Sequence, residues 1–203
     1  MKRTTALVLA ALATMFAAGC ASPGDGGGPA ASTAGTSAAA PADGSFLAAH
    51  GLSGLDARGI IDRLERAPVA DRPQTLRASV RPSQLQLTDT RTGATTALDI
   101  PAGLFYLSVA PYVDRTHECF FHSLTTCQGE LTGQDLQVRI TDTATGKVLV
   151  DGAAKTSENG FTGFWLPSGI TATLQITHNG RTATTDIATA PDAPTCLTTL
   201  RLT

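Results

Sequence analysis

The spacing of apolar positions changes along the chain, and the change divides it. Over residues 54–66, Ala57, Ile60, Ile61 and Leu64 recur at helical spacing, while Asp56, Arg58, Asp62, Arg63 and Arg66 fall elsewhere on the wheel. Ser53 followed by Asp56 is an N-cap signature, because hydroxyl and carboxylate oxygens accept from the unpaired N–H groups of a first turn. Pro68 stops the helix. Further on the spacing falls to two. LQLTD and TTALDIP alternate as strands around a Thr90-Arg91-Thr92-Gly93 turn, and LFYLSVAPYV reads as a third, more buried strand. Helix, hairpin and strand predict a small α+β unit over 46–111, part of which is free to pack on the next domain.

Beyond Pro111 no helical spacing remains. LQVRITD, KVLVDGAAKT, FTGFWLP, TATLQITH, RTATTDIAT and CLTTLRL are short runs rich in Thr, Val and Ile. Turn chemistry separates them: Thr145-Gly146, Asn159-Gly160, Ser168-Gly169 and Asn179-Gly180. The expected fold is therefore mainly β, with an antiparallel β-sandwich over 112–203 following the small α+β unit. Phe161, Phe164 and Trp165 read as sandwich core.

The N-terminus is built differently. Lys2 and Arg3 precede the apolar run ALVLAALATMFAAG, which ends at Cys20. That is the layout of an export signal over 1–19, too short for a convincing membrane span. Ala17-Ala18-Gly19-Cys20 resembles a bacterial lipobox, with Cys20 as the lipidated residue. An ordinary signal peptide with an incidental cysteine is the alternative. Residues 20–45 are nearly all Ala, Gly, Ser, Thr and Pro, so they have little to bury and read as a disordered tether. Together these features predict an exported protein, periplasmic or anchored at the outer face of the cell membrane, with only the lipid touching the bilayer.

Charge removes some function classes. The formal net charge is −2 and becomes more negative once Lys2 and Arg3 are lost. No basic cluster remains, which argues against nucleic acid as a partner. Glycine-rich phosphate loops, GxSxG and HExxH are all absent from the sequence, and Glu118 and Glu130 read as solvated acids. A dedicated hydrolytic enzyme is unsupported.

The chemistry concentrates in HECFFHSLTTC, His117 to Cys127, and in the later Cys196. With Cys20 lipidated, three thiols remain, and one disulfide leaves one over. In an oxidising compartment that surplus points to a metal ligand or a redox role; the alternative is a structural disulfide beside a buried third cysteine. If the segment is a strand, His117 and Cys119 share a face and His122 faces away. Cys119 and Cys127 meet only if the chain reverses near Ser123-Leu124-Thr125, and such a reversal can also swing His122 back. Three thiolates and an imidazole suit Cu(I), or Zn(II) as the lesser alternative. Both methionines, Met1 and Met15, lie in the leader, so no thioether is available to a soft metal. Two thiols can also pass electrons to Cu(II), closing a disulfide and leaving one sulfur as ligand.

ECFFHSLTTCQGEL, ENGFTGFWLP and DAPTCLTTLRL resemble the signature segments of the CueP family of bacterial periplasmic copper-binding proteins. The similarity runs from about Tyr112 to the C-terminus and includes the surroundings of all three cysteines. It implies a copper site on Cys119, Cys127 and Cys196, with His122 inside the matching segment and His117 at its edge. It also implies sequestration of Cu(I), delivery to a recipient such as copper,zinc superoxide dismutase, thiol-dependent Cu(II) reduction, and a homodimer formed through the N-terminal part. A disulfide closed by that reduction would need an external thiol donor, such as a thiol reductase, to reset it.

Overall fold

Asp56 begins the main helix as the pattern requires. Its Oδ1 accepts from Gly59 N at 2.7 Å, and α2 runs Ala57–Glu65. A short helix, α1 (Gly44–Ala49), precedes it and has no counterpart in the apolar pattern. In this computed structural model the described residues are 44–203; the predicted signal, Cys20 and the tether up to residue 43 lie outside them. No described helix is long and apolar enough to cross a membrane.

Ten strands follow, grouped in three sheets. The first sheet is β1 (Leu76–Val80), β2 (Gln84–Asp89) and β3 (Thr95–Asp99), antiparallel in that order. Its β2–β3 turn is the predicted one, with Asp89 Oδ1 accepting from Arg91 N and Thr92 N at 2.8 and 3.1 Å. β1 was not visible in the sequence pattern. The second sheet holds β4 (Leu104–Val109) between β7 (Thr162–Pro167) and the short β10 (Cys196–Leu197). The third is β6 (Val148–Lys155), β5 (Asp135–Asp142), β8 (Thr171–His178) and β9 (Arg181–Ala188), in that order.

β4 explains how these pieces join. The sequence placed it after the hairpin, but it pairs antiparallel with β7 and parallel with β10. Phe105, Leu107 and Val109 point into the sandwich core with Leu136, Val138 and Ile140 of β5, Phe164 and Leu166 of β7, and Leu174 and Ile176 of β8. Tyr106, on the opposite face, belongs to a second core with Ile60, Ile61 and Leu64 of α2 and with the hairpin sheet. A strand covered on both faces carries little polar alternation, which is why it looked more buried than its neighbours.

Two of the four turn signals are not hairpins. Ser168-Gly169 links β7 to β8 across sheets, and Asn159-Gly160 links β6 to β7 in the same way. Asn179-Gly180 does close a hairpin, with φ of 50° and 77° at its two residues. CLTTLRL, expected as a strand, pairs only at Cys196 and Leu197 before a single bridge from Arg201 to Tyr112.

Candidate metal centre

Between β4 and β5, residues 110–134 form neither helix nor named strand. The cysteine–histidine motif lies in this segment, so its shape is set by distant partners. His122 O accepts from Val80 N at 2.8 Å, and Leu124 N donates to Ala78 O at 2.9 Å, which lays 122–124 along the free edge of β1. On the other side, Thr195 N donates to Phe120 O at 2.9 Å. Thr195 Oγ1 ties the two together, accepting from His122 N at 3.0 Å and donating to Val80 O at 2.7 Å. The chain then reverses: Thr126 N and Cys127 N both donate to Ser123 O. The reversal is the one expected near Ser123-Leu124-Thr125.

Its far limb is pinned backbone on backbone. Gly129 N donates to Asn159 O at 2.6 Å, and a Cβ at Gly160 would lie 2.5 Å from Gly129 O. Gly160 also sits at φ 80°, so this position admits only glycine without displacement. Glu130, read from sequence as a solvated acid, instead accepts from Val113, Asp114 and Arg115 N–H groups at 2.8 to 3.2 Å. Those bonds hold its carboxyl below the usual range.

Four ligating atoms converge. Those of Cys119, His122, Cys127 and Cys196 all lie within 4.8 Å of one another. Cys119 and Cys196 are joined as a disulfide, and Cys127 Sγ lies 3.6 Å from Cys119 Sγ. His122 Nδ1 is 3.6 Å from Cys196 Sγ. His122 and Cys196 are buried, whereas Cys119 and Cys127 are half-buried. Cys127 lines an open cleft of ≈ 510 Å³ with Arg115, His117 and Glu130, so the cluster has one solvent-facing side. Phe161 covers the other side, its ring 4.6 Å from that of His122 and packed with Cys196.

The parity argument for the histidines does not hold, because the segment is not a strand. His122 joins the sulfurs. His117 does not; its ring stands edge-on to Phe161 at 6.2 Å, and its Nε2 is buried without a hydrogen-bond partner among the described residues. Cys20 lies outside the described residues.

The sequence reading missed Glu65, the last residue of α2, whose Oε2 lies 3.1 Å from His122 Nε2. Burial alone would push this carboxyl up. The His122 charge beside it and hydrogen bonds from Asn159 and Tyr106 outweigh it and hold the group ionised, well below the carboxylate range. Burial would likewise lower His122, but Glu65 and the Cys127 sulfur raise it above its ordinary value. Burial raises Cys127; the contact with His122 and the Ser123 N–H win and lower its thiol. An acid directly after Leu64 and beside the apolar stripe of α2 was the available signal. The arrangement offers soft sulfur and one imidazole nitrogen, a donor set for a soft cation, plus a thiol poised beside a disulfide.

Comparison with known proteins points to a copper-binding family. A family model described as periplasmic copper-binding protein CueP matches residues 59–201. A solved structure, the crystal structure of S.CueP, is 40% identical with a TM-score of 0.73 and covers 82% of this chain and 100% of its own. No curated protein matches the chain. A match over most of the chain, in sequence and in fold, makes this protein a member of the CueP family of periplasmic copper-binding proteins.

Proposed function

We propose that the protein sequesters Cu(I) outside the cytoplasm through Cys119, Cys127 and Cys196, with His122 as the nitrogen donor. The convergence of these four ligating atoms within 4.8 Å, from segments far apart in the chain, carries the reading. Thiolate donors without thioether favour Cu(I), and Zn(II) is the competing occupant of such a set. His117 stands on the approach from the cleft to Cys127. Titrating the reduced, tether-free protein with Cu(I) against a chromophoric chelator is expected to show about one tightly held ion per chain. Unchanged retention in Cys127→Ser or Cys196→Ser would overturn the shared site, and preferential retention of Zn(II) would overturn the choice of metal.

The disulfide favours a second, compatible role. Oxidising the Cys119 and Cys196 thiolates to their disulfide releases two electrons, enough to reduce two Cu(II) to two Cu(I), and leaves Cys127 and His122 as donors. A thiol reductase would then restore the pair. Mixing reduced protein with Cu(II), stripping the metal and counting thiols distinguishes the cases. Reduction leaves one reactive thiol of three; binding alone leaves all three. Delivery to a secreted cuproenzyme such as copper,zinc superoxide dismutase, anchoring through Cys20 and dimerisation complete the proposal. Copper transfer between purified proteins, mass analysis of Cys20 and sedimentation test them in turn.

A further inference from the structure

We infer that Glu65 is a positioning residue for the copper site: it holds the His122 ring with Nδ1 turned toward the sulfurs. The inference rests on the reading of His122 as a copper ligand. Glu65 is 4% exposed, and its carboxylate is filled from several directions. Tyr106 Oη donates to Oε2 at 2.8 Å and Ser108 Oγ to the same oxygen at 2.9 Å, both from the outer face of β4. Asn159 Nδ2 donates to Oε1 at 2.8 Å and to the Glu65 carbonyl at 3.2 Å. Asn159 cannot turn its amide over, because its Oδ1 accepts from Phe161 N at 2.8 Å. Gly163, across from Ser108, leaves the space that the Tyr106 hydroxyl occupies.

These contacts leave the carboxylate one position, and in it Oε2 faces His122 Nε2 at 3.1 Å. With Nε2 against a fixed anion, a fully buried imidazole that takes up a metal keeps the Nε2 proton and gives up the one on Nδ1, so Nδ1 is the nitrogen offered to the metal. Nδ1 is also the nitrogen 3.6 Å from Cys196 Sγ. Phe161 prevents the ring from swinging out. A mere clamp between α2 and the sandwich has no need of charge, since apolar side chains of similar volume hold such contacts as well or better. A Gln at 65 cannot serve every partner, because its amide end would meet either the Asn159 donor or the group of donors at Oε2.

The test uses the full mature chain, reduced, ¹⁵N-labelled, and loaded with one equivalent of diamagnetic Cu(I). Imidazole nitrogen shifts of His122 and chelator-competition affinity are read for the wild type, Glu65→Gln and Tyr106→Phe. The loaded wild type is expected to bind Cu(I) at Nδ1 and to keep its imidazole proton on Nε2. Glu65→Gln is expected to mix tautomers and weaken Cu(I) binding by about 10–100-fold, while Tyr106→Phe keeps the wild-type tautomer. Wild-type shift and affinity in Glu65→Gln would overturn the role of Glu65 alone. Copper on Nε2 with the proton on Nδ1 in the loaded wild type would overturn it even if the variant fails to fold. A His122 that ignores Cu(I), with the thiol affinity intact, would overturn the ligand reading beneath it.

Discussion

The four-stranded sheet β6-β5-β8-β9 and the segment 110–134 are built by opposite means. In the sheet, two hairpins, β5–β6 and β8–β9, close through local turns before β5 and β8 pair, and the β8–β9 register follows from two residues, Asn179 and Gly180. In the segment, hydrogen bonds reach to Ala78, Val80, Asn159 and Thr195. Each hairpin of the first region needs only its neighbours in sequence; the second region takes shape only when the rest of the chain is folded around it. The proposed copper site draws three of its four donors from the second, and its fourth, Cys196, reaches them from elsewhere in the chain.

The largest expected effect contrasts two glycines of similar backbone. Gly160 and Gly180 have φ of 80° and 77°, but a Cβ at Gly180 meets nothing within 4 Å, while at Gly160 it strikes the Gly129 backbone. Gly180→Ala should cost about 1–2 kcal/mol from strain alone. Gly160→Ala should cost about 3 kcal/mol or more, with overpacking added to strain, and should weaken Cu(I) retention. Equal denaturant midpoints and equal copper retention in the two variants would break the contrast.

Threonines give a middle-sized test. Thr195→Val leaves the buried His122 N–H and Val80 carbonyl each short of a partner, and should cost about 1–3 kcal/mol. Thr173→Val, whose hydroxyl makes an exposed contact to Asp186 3.1 Å away, should stay within about 0.5 kcal/mol. Urea melts of the two, compared with Cu(I) affinity, sharpen the comparison, since only the first should change both.

The smallest expected effect is one of pH. The Glu130 carboxyl is lowered by its three backbone donors, so its contribution is present above the unfolded carboxyl value and is lost as pH falls through its lower folded value. Protection of the Val113, Asp114 and Arg115 amides, relative to their intrinsic exchange rates, should fall over that acid range in the wild type. In Glu130→Ala that protection should be low at all pH values. No change in the variant would show that other contacts hold this part of the segment.

Much of the scaffold was legible from residue spacing. The helix cap at Asp56, the β2–β3 turn and the hairpin strands of the third sheet depend on short-range steric and periodic rules. β1 escaped because Leu76–Val80 has Arg77 and Ser79 on the outer side and only five residues to show alternation. The pairing of β4 with β7, not with the hairpin, was equally hidden, since an apolar run does not say which edge it will meet.

The sequence by itself determined the chemistry: three cysteines among residues 44–203, an imidazole within the same motif, and no methionine in that stretch. It also settled that strands would dominate, because period and turn residues are properties of neighbours. Only the tertiary structure decided that Cys196 reaches Cys119, that His122 and not His117 meets the sulfurs, and that Glu65 and Asn159 stand behind that ring. These are meetings of groups tens of residues apart. Their geometry depends on burial and on hydrogen bonds completed only when separate sheets pack, so no local pattern encodes it.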